Sequence, residues 1–299
     1  MDLSLLTKPE KNREPLIVFT HIVKTAGSTL HFLISRQYNN NQVYRVYDNF
    51  RERFPTMLKD LEDENNTAEE SEKKVLCTHL GFGLHQFLPR PSIYITMLRE
   101  PIDRVISSYY YGAKRHEHIR KLTLKEFVIE ECDRSYNLQT RLLSGLRIQD
   151  QLAGHKVTPD EVIDLAVSSN KILEDAKNNL RNSYEVVGLT ERFDESLLLF
   201  QKRFGWKNVH YVKANVNKSR PRVQDISADT LKLIEEYNSL DLELYEYAQK
   251  IMNDQIQLSL PSIDKDLKKF RRRNKLYSLA HPYLKPVVTS FRSLSVANS

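Results

Sequence analysis

Apolar residues fall into short runs along this chain, and segments with a helical pattern separate most of these runs. The first run, Leu16–Phe19, follows Pro15 and is partly β-branched, which is typical of a buried strand. Further strands are predicted at Val75–Leu80, Ser92–Leu98, Val186–Leu189 and Val209–Val212, and a short one at Val43–Val46 within a polar stretch. Strands that alternate with helices predict a mostly parallel sheet that is covered by helices on both faces.

Helix start signals support this architecture. Pro101 suits the first turn of a helix that we expect to reach about Tyr111. Capping boxes at Thr123–Glu126 and Thr158–Glu161 each predict a helix start, and the second helix is expected to extend to about Lys177. Further helices are predicted at Phe193–Arg203, Ala228–Tyr237, Asp241–Ile256 and within Asp264–Leu279.

These elements predict a single α/β domain with a helical C-terminal part. We divide the chain into an N-terminal segment (1–14), the α/β domain (15–258) and a basic C-terminal extension (259–299). In open α/β sheets, ligands bind beside the carboxyl ends of the strands. The loop after the first strand, His79 and Arg99 all fall at the carboxyl ends of predicted strands. The sequence therefore predicts that they share one site.

Composition limits the class of protein. The 299 residues are 40% hydrophobic and 28% charged, which suits a globular protein of enzyme size. No apolar run approaches the roughly 18 residues of a membrane span, and residues 1–14 lack the apolar segment of a signal peptide. Cys77 and Cys132 are too few for a disulfide framework or a metal cluster. We therefore expect a cytoplasmic protein without a bound metal.

The net charge of +6 is concentrated in one segment. Between Lys265 and Lys275, seven Lys and Arg residues stand against Asp266 alone, so this segment carries +6 and the rest of the chain is neutral overall. Such a run is ordinarily a solvated helix face. It could also attract an anionic glycan or make a peripheral contact with an anionic membrane. The neutral body and the lack of a recognised binding fold argue against nucleic acid.

A loop of small and hydroxyl residues, HIVKTAGST (residues 21–29), joins the first strand to the following helix. Its small side chains let backbone N–H groups approach a ligand, while the helix N-terminus and Lys24 supply positive charge. This is how proteins hold a phosphate or a related tetrahedral anion. The loop is not a Walker A motif, because Lys24 precedes Gly27 and no glycine lies upstream of it in the loop.

A second candidate subsite for phosphate follows the strand Ser92–Leu98. Arg99 leaves the end of this strand, and Ser107 lies eight residues further on, in the next helix. A guanidinium group can bind a phosphate through two parallel hydrogen bonds. A serine two turns along the helix reaches the same anion if the helix passes beside it. Together with the loop, this pair favours anion binding over a purely structural role for Arg99 and Ser107.

These segments resemble sulfotransferases that use 3′-phosphoadenosine 5′-phosphosulfate (PAPS), most of all the carbohydrate group that includes heparan sulfate 2-O-sulfotransferases and bacterial relatives. HIVKTAGSTL resembles the 5′-phosphosulfate loop of that family, LREPIDRVISSYY its 3′-phosphate motif, and THLGFGLH the segment with its catalytic histidine. VGLTERFDESLLLF resembles a further recurring stretch. The resemblance covers roughly Leu16 to Lys250. It implies the sulfotransferase fold with a P-loop-like phosphosulfate loop, and sulfuryl transfer from PAPS to a hydroxyl group, expected on a carbohydrate.

The resemblance also implies roles for individual residues. Lys24 contacts the oxygen that bridges phosphate and sulfate, and it stabilises charge on the departing phosphate. Arg99 and Ser107 hold the 3′-phosphate, and His79 takes the proton from the acceptor hydroxyl. The residues that wrap the 5′-phosphate are Thr25, Ala26, Gly27, Ser28 and Thr29.

The chain departs from the family pattern at two positions. Val23 stands where the carbohydrate group commonly has proline, which concerns the rigidity of the loop. Cys77 stands where the heparan sulfate enzyme has a second histidine, so a two-histidine site is not expected. Other histidines remain rival bases, namely His21, His31 and His85.

Other assignments and alternatives stay open from sequence alone. Asn137 and Arg141 could face the acceptor, and Asn215–Arg220 could close over the nucleotide. A P-loop-type kinase or nucleotide hydrolase also grips phosphate between a strand and a helix, but it needs an acid at a strand end for Mg²⁺, and no convincing one is found. A non-catalytic nucleotide- or glycan-binding protein is a third possibility, against which His79 and Lys24 argue.

Overall fold

The computed structural model describes residues 14–63, 72–146, 148–162, 165, 169–212, 221 and 223–296, with the backbone alone for residue 51 and residues 281–296. A five-stranded sheet in the order β2-β3-β1-β4-β5 forms its centre, and all neighbouring strands are parallel. The strands are β1 (Leu16–Thr20), β2 (Val43–Val46), β3 (Val75–Thr78), β4 (Ser92–Leu98) and β5 (Tyr184–Leu189). The predicted single α/β domain with a parallel central sheet is confirmed.

Helices connect and cover these strands. The first three are α1 (Gly27–Gln37), α2 (Phe50–Asp63) and α3 (Pro101–Ala113). Short helices follow at α4 (Glu117–Lys121), α5 (Leu124–Glu130), α6 (Cys132–Ser135), α7 (Leu138–Ser144) and α8 (Ile148–Leu152). The later helices are α9 (Ser169–Asn182), α10 (Phe193–Phe204), α11 (Ala228–Tyr237), α12 (Ser239–Ser259) and α13 (Ile263–Val296).

The central strand β1 lies in the hydrophobic core. Every one of its residues is buried, and Leu16, Val18 and Phe19 are 0% exposed. A strand covered on both faces needs apolar side chains at successive positions, which is why this segment reads as one continuous apolar run. Burial of β1 on both faces fixes the position of the loop that follows it.

The order of the strands creates a crevice beside β1. From β1 the chain moves to β2 and β3 on one side, whereas from β4 it moves to β5 on the other side. The connections therefore diverge between the adjacent strands β1 and β4. In open α/β sheets such a point, at the carboxyl ends of the strands, is where ligands bind. The loop after β1 and Arg99 after β4 flank this crevice.

Side-chain capping fixes the start of α3, as the sequence predicts. The Glu100 carboxylate accepts hydrogen bonds from the backbone N–H groups of Ile102 and Asp103, and Pro101 occupies the first turn. The predicted capping box between Thr123 and Glu126 is also present at the start of α5. Caps satisfy N–H groups that have no partner within the helix, so the helix starts where the sequence places them.

The predicted strand Val209–Val212 is wrong. Val209 and Tyr211 are buried, but residues 209–212 have no regular secondary structure. The Tyr211 backbone bonds to α13, donating to Asn274 Oδ1 at 2.7 Å and accepting from the Ser278 hydroxyl at 3.3 Å. The alternation of apolar residues here reflects packing against helices rather than pairing in a sheet.

Two predicted helices have different bounds in the structure. The helix expected from Thr158 to Lys177 is represented by α9, which extends to Asn182, while part of the intervening chain lies outside the described residues. The C-terminal helix, predicted within Asp264–Leu279, spans Ile263–Val296 as α13. It packs on the domain through Leu267 and Phe270, which are 7% and 5% exposed. Among the described helices, none has the length and apolar character needed to cross a membrane.

Candidate active site

The loop after β1 has an unusual backbone. Lys24 and Ala26 have φ angles of 71° and 62°, in the left-handed region that residues with a β-carbon rarely adopt. The buried Thr25 hydroxyl donates to the Ile22 carbonyl at 2.8 Å, so this side chain holds the turn. Backbone strain of this kind clusters at ligand sites, where the surrounding structure maintains it. The loop ends at Gly27, the first residue of α1.

Gly27 is needed because the His21 ring lies directly against it. A β-carbon at position 27 would be 2.0 Å from His21 Cδ2 and 2.2 Å from His21 Nε2. The imidazole of His21 stacks on Phe19, with ring centroids 5.2 Å apart and an interplanar angle of 9°. The His21 ring is therefore packed between Phe19 and the loop. A larger residue at position 27 would displace this ring.

Arg99 joins the two predicted phosphate subsites. Its Nη1 donates to the Lys24 carbonyl at 2.9 Å, and its Nε donates to Asp103 Oδ2 at 2.8 Å. Its Nη2 also donates to Asp103 Oδ2. Two of its nitrogens are thus oriented by a carboxylate on α3, and the third is held by the loop. The structure brings Arg99 and the loop into direct contact, as the sequence predicts.

One face of α3 runs along the loop. Asp103 on this face contacts Arg99, and the Lys24 ammonium lies 3.7 Å from the centroid of the Tyr111 ring. Ser107 is four residues from both Asp103 and Tyr111, and residues four apart share a helix face. Ser107 therefore lies on the face of α3 that carries these two contacts, and its role in binding the 3′-phosphate stays a prediction.

His79 follows β3 and is tied to the loop after β1. Its Nδ1 lies 2.6 Å from the His21 carbonyl oxygen, an acceptor that requires Nδ1 to carry the proton. The other nitrogen, Nε2, therefore has the free lone pair that a base needs. Burial lowers the pKa of His79 below its usual value of 6.5, although the hydrogen bond to His21 and the nearby Asp48 oppose this shift. The imidazole is consequently neutral at pH 7.

Aromatic rings surround His79. The Tyr47 ring centroid lies 4.6 Å from that of His79, and the His21 centroid lies 4.7 Å from it. A second histidine thus lies beside His79, although it comes from the loop after β1 and not from position 77. Burial lowers the pKa of His21 to about 3, so this second ring stays neutral. It packs beneath the loop instead of carrying charge.

The other rival bases are unsuited to proton transfer at this site. The Nε2 lone pair of His31 accepts a hydrogen bond from Arg45 Nε at 2.7 Å, and burial lowers its pKa to about 4. His85 lies 3.0 Å from the Tyr94 hydroxyl and lines a cavity of about 830 Å³ near the amino ends of β4 and β5. That cavity lies at the amino ends of the strands, whereas Lys24 lies beyond the carboxyl end of β1.

Asn137 and Arg141 have structural roles, which corrects the prediction that they face the acceptor. Asn137 is 1% exposed, and its Oδ1 accepts from the backbone N–H groups of Leu240 and Asp241 at 3.1 Å. The buried Arg141 guanidinium donates to the carbonyls of nearby residues, which are Tyr136, Cys132 and Asp133. The sequence shows their polarity but not their burial.

Other site predictions have different outcomes. The segment Asn215–Arg220 lies outside the described residues. Within the described ranges, no group of three His, Cys, Asp or Glu side chains could hold a metal ion. Sequence reasoning missed Tyr47, Asp103 and Tyr111. The helical spacing of Asp103 and Tyr111 from Ser107 could have indicated the last two, whereas Tyr47 only follows a short strand.

Comparison with known proteins agrees with this geometry. The model of the galactose-3-O-sulfotransferase family matches residues 3–280. The chain belongs to this family. The more general prediction of a carbohydrate sulfotransferase family is therefore confirmed, and the kinase and nucleotide-hydrolase alternative is set aside.

Individual relatives are distant. Mouse galactose-3-O-sulfotransferase 2 is 22% identical over 296 residues, covering 92% of this chain and 72% of the relative. Human heparan-sulfate 6-O-sulfotransferase 1 is 28% identical over 194 residues, covering 56% of this chain and 45% of the relative. The chain thus spans about half the length of the heparan-sulfate relatives it matches. A crystal structure of mouse sulfotransferase SULT7A1 with PAP aligns with 14% identity and a TM-score of 0.27, covering 77% of this chain and 91% of that one.

Proposed function

We propose that this protein transfers a sulfuryl group from PAPS to a hydroxyl group of a carbohydrate acceptor. The observation that carries the proposal is the contact between three strand ends. Arg99, after β4, donates to the carbonyl of Lys24 in the loop after β1, and His79, after β3, lies 2.6 Å from the carbonyl of His21 in that loop. One crevice thus combines cationic side chains suited to phosphates with an oriented neutral imidazole.

Each group has a distinct task in the proposed reaction. PAPS supplies the sulfuryl group, and the loop residues 25–29 would bind its 5′-phosphate through backbone N–H groups at the α1 N-terminus. Arg99 and Ser107 would bind the 3′-phosphate. Lys24 would neutralise the charge that develops on the departing phosphate, which is an interaction strongest in the transition state. Its position on the Tyr111 ring keeps the ammonium beside the loop.

His79 is the proposed general base. Its Nε2 would accept the acceptor hydroxyl proton as the oxygen attacks sulfur, while Nδ1 keeps its proton on the His21 carbonyl. The burial that lowers its pKa keeps Nε2 unprotonated at neutral pH. A base in this position typically contributes about 10²–10⁴-fold to the rate.

The acceptor is proposed at the level of a glycan hydroxyl. The two relatives described above act, by their names, on galactose at the 3-O position and on heparan sulfate at the 6-O position. The similarity to heparan sulfate 2-O-sulfotransferases and to bacterial members, like the cytoplasmic location, stays a prediction from sequence. Because these two names give different sugars and different positions, the proposal stops at a glycan hydroxyl.

Two measurements test the proposal. Calorimetric titration should show that the protein binds 3′-phosphoadenosine 5′-phosphate (PAP) equally well with and without Mg²⁺. Incubation with radiolabelled PAPS and a panel of galactosides and heparan sulfate oligosaccharides should label at least one glycan. Magnesium-dependent nucleotide binding would contradict the sulfotransferase assignment. Tight PAP binding without transfer to any sugar in the panel would contradict the carbohydrate acceptor.

A further inference from the structure

The C-terminal helix α13 has two opposite faces. Its inner face packs on the domain through Leu267 and Phe270, and Asn274 and Ser278 on the same side bond to the Tyr211 backbone. The His210 ring stacks on Phe270, with centroids 5.4 Å apart. These contacts fix the rotation of the helix about its own axis. The side chains on its opposite side therefore point away from the domain.

The outer face of α13 is basic and carries two exposed leucines. Leu276 and Leu279 are 60% and 63% exposed. At 3.6 residues per turn, the residues within about 60° of Arg272 around the helix form one surface, which we call the basic face. Its members, all exposed, are Lys265, Lys268, Lys269, Arg272, Lys275, Leu276 and Leu279.

Acidic residues do not interrupt this basic face. Asp264 and Asp266, the acidic residues of the segment 263–280, are roughly 80° and 120° away from Arg272 around the helix. Arg271, at the edge of the face, pairs with Asp194 at 3.1 Å and so helps to hold the helix on the domain. Five of the seven basic residues between Lys265 and Lys275 therefore lie on one surface that faces outward.

We infer that the basic face binds the surface of an anionic lipid bilayer. Lys and Arg side chains near such a surface are attracted to its headgroups, and the attraction is lost beyond a Debye length. The two leucines decide between a bilayer and a soluble polyanion. A glycan or nucleic acid gains little from exposed leucines, whereas an amphipathic helix buries them at the boundary between headgroups and acyl chains. This inference does not depend on the proposed catalytic activity.

Sedimentation of the full chain with lipid vesicles tests the inference. We expect the protein to sediment with vesicles that contain phosphatidylserine at physiological salt, and not with pure phosphatidylcholine vesicles. Replacing both leucines (Leu276→Ser with Leu279→Ser) should lower vesicle binding at least about tenfold. Reversing charge (Lys268→Glu with Arg272→Glu) should lower it by at least a similar factor. All variants should keep PAP affinity, because none touches the catalytic crevice.

Matched controls lie elsewhere on the surface. Leu258 is 85% exposed on α12, outside the basic face, and Lys125 is exposed on α5. Leu258→Ser and Lys125→Glu should leave vesicle binding unchanged. Equal binding to both vesicle types, or no binding to the anionic ones, would overturn the inference. It would also be overturned if soluble heparin bound as tightly as vesicles and the leucine variants had no effect, because the face would then be a polyanion site.

Discussion

At the scale of single residues, one hydrogen bond determines which nitrogen of His79 can act. The His21 carbonyl oxygen only accepts, so it selects the tautomer with the proton on Nδ1 and the lone pair on Nε2. The same carbonyl belongs to the loop that carries Lys24. The base and the proposed phosphate-binding loop are therefore held at a fixed separation by the backbone.

Replacement of His79 tests its role as a base. His79→Asn should lower kcat by roughly 10²–10⁴ and leave PAP affinity near normal, because the amide fills similar space but cannot accept the proton. Since burial lowers the pKa of His79, kcat of the parent should fall only as the pH drops below about 6.5. Stopped assays from pH 5 to 8 would measure this. Near-normal turnover by His79→Asn would remove the assignment.

Lys24→Ala should affect chemistry more than binding. The ammonium is expected to interact most strongly with charge that appears in the transition state, so kcat should fall roughly 10²–10³-fold while PAP affinity changes little. Steady-state kinetics combined with calorimetric titration would separate the two effects. Lys125→Ala, on the surface of α5, is the charge-matched control. A variant that loses affinity but retains kcat would place Lys24 in ground-state binding instead.

Arg99→Ala should have the opposite effect. Loss of the guanidinium should weaken PAP binding roughly 10–100-fold and reduce the preference for nucleotides that carry a 3′-phosphate. Arg99→Lys keeps the charge but loses the planar pair of donors, so it should recover only part of the affinity. Titrations with PAP and with adenosine 5′-phosphate would measure the preference. If the preference is unchanged in Arg99→Ala, the 3′-phosphate binds elsewhere.

At the scale of elements, the turn between β1 and α1 depends on the His21 side chain that packs against it. The His21 ring is confined between Phe19, Tyr47 and Gly27 and has little room to move. A short strand-to-helix turn can therefore approach a ligand only while position 27 has no side chain.

Gly27→Ala should displace either the His21 ring or the start of α1. We expect a loss of roughly 1–3 kcal/mol in the free energy of unfolding, together with weaker PAP binding. The same change in a His21→Ala background should cost less, because the ring that the β-carbon meets is gone. Urea unfolding of the four proteins would give the coupling energy. Strictly additive effects would show that the contact is unimportant.

At the scale of the whole molecule, buried histidines couple folding to pH. Burial lowers the pKa of His21 to about 3 and that of His31 to about 4, whereas an unfolded chain has values of about 6.5. The unfolded state therefore binds protons first as the pH falls. Stability is fully present above about pH 6.5 and declines as the pH drops toward the values of the folded state.

We expect each of these two histidines to cost roughly 2 kcal/mol of stability at pH 5 relative to pH 7.5. His31→Gln keeps an acceptor for Arg45 but does not titrate, so it should flatten the dependence of the unfolding free energy on pH. Gln149→Asn, at an exposed position of α8, changes no titratable group, so it is the control and should leave the slope unchanged. Urea midpoints from pH 5 to 7.5 would measure both slopes. A parent protein as stable at pH 5 as at pH 7.5 would contradict this account.

The sequence by itself determined the local elements and the residues after each strand. Apolar runs located β1, β3, β4 and β5, because a buried parallel strand leaves a continuous apolar segment, whereas β2 contains Arg45 and was predicted only as a short strand in a polar stretch. Proline and capping residues placed the starts of α3 and α5, because these signals act within one helical turn. The motifs around Lys24 and Arg99 likewise depend on short-range spacing.

Only the tertiary structure determined which residues are neighbours in space. The strand order places β3 and β4 on either side of β1, and so brings His79 and Arg99 to one loop from positions far apart in the chain. Tyr47 and the His21 ring adjoin His79 for the same reason. Burial also depends on long-range packing, which is why Asn137 and residues 209–212 were misread. Polarity and alternation are local properties of a sequence, whereas exposure and pairing depend on partners elsewhere in the chain.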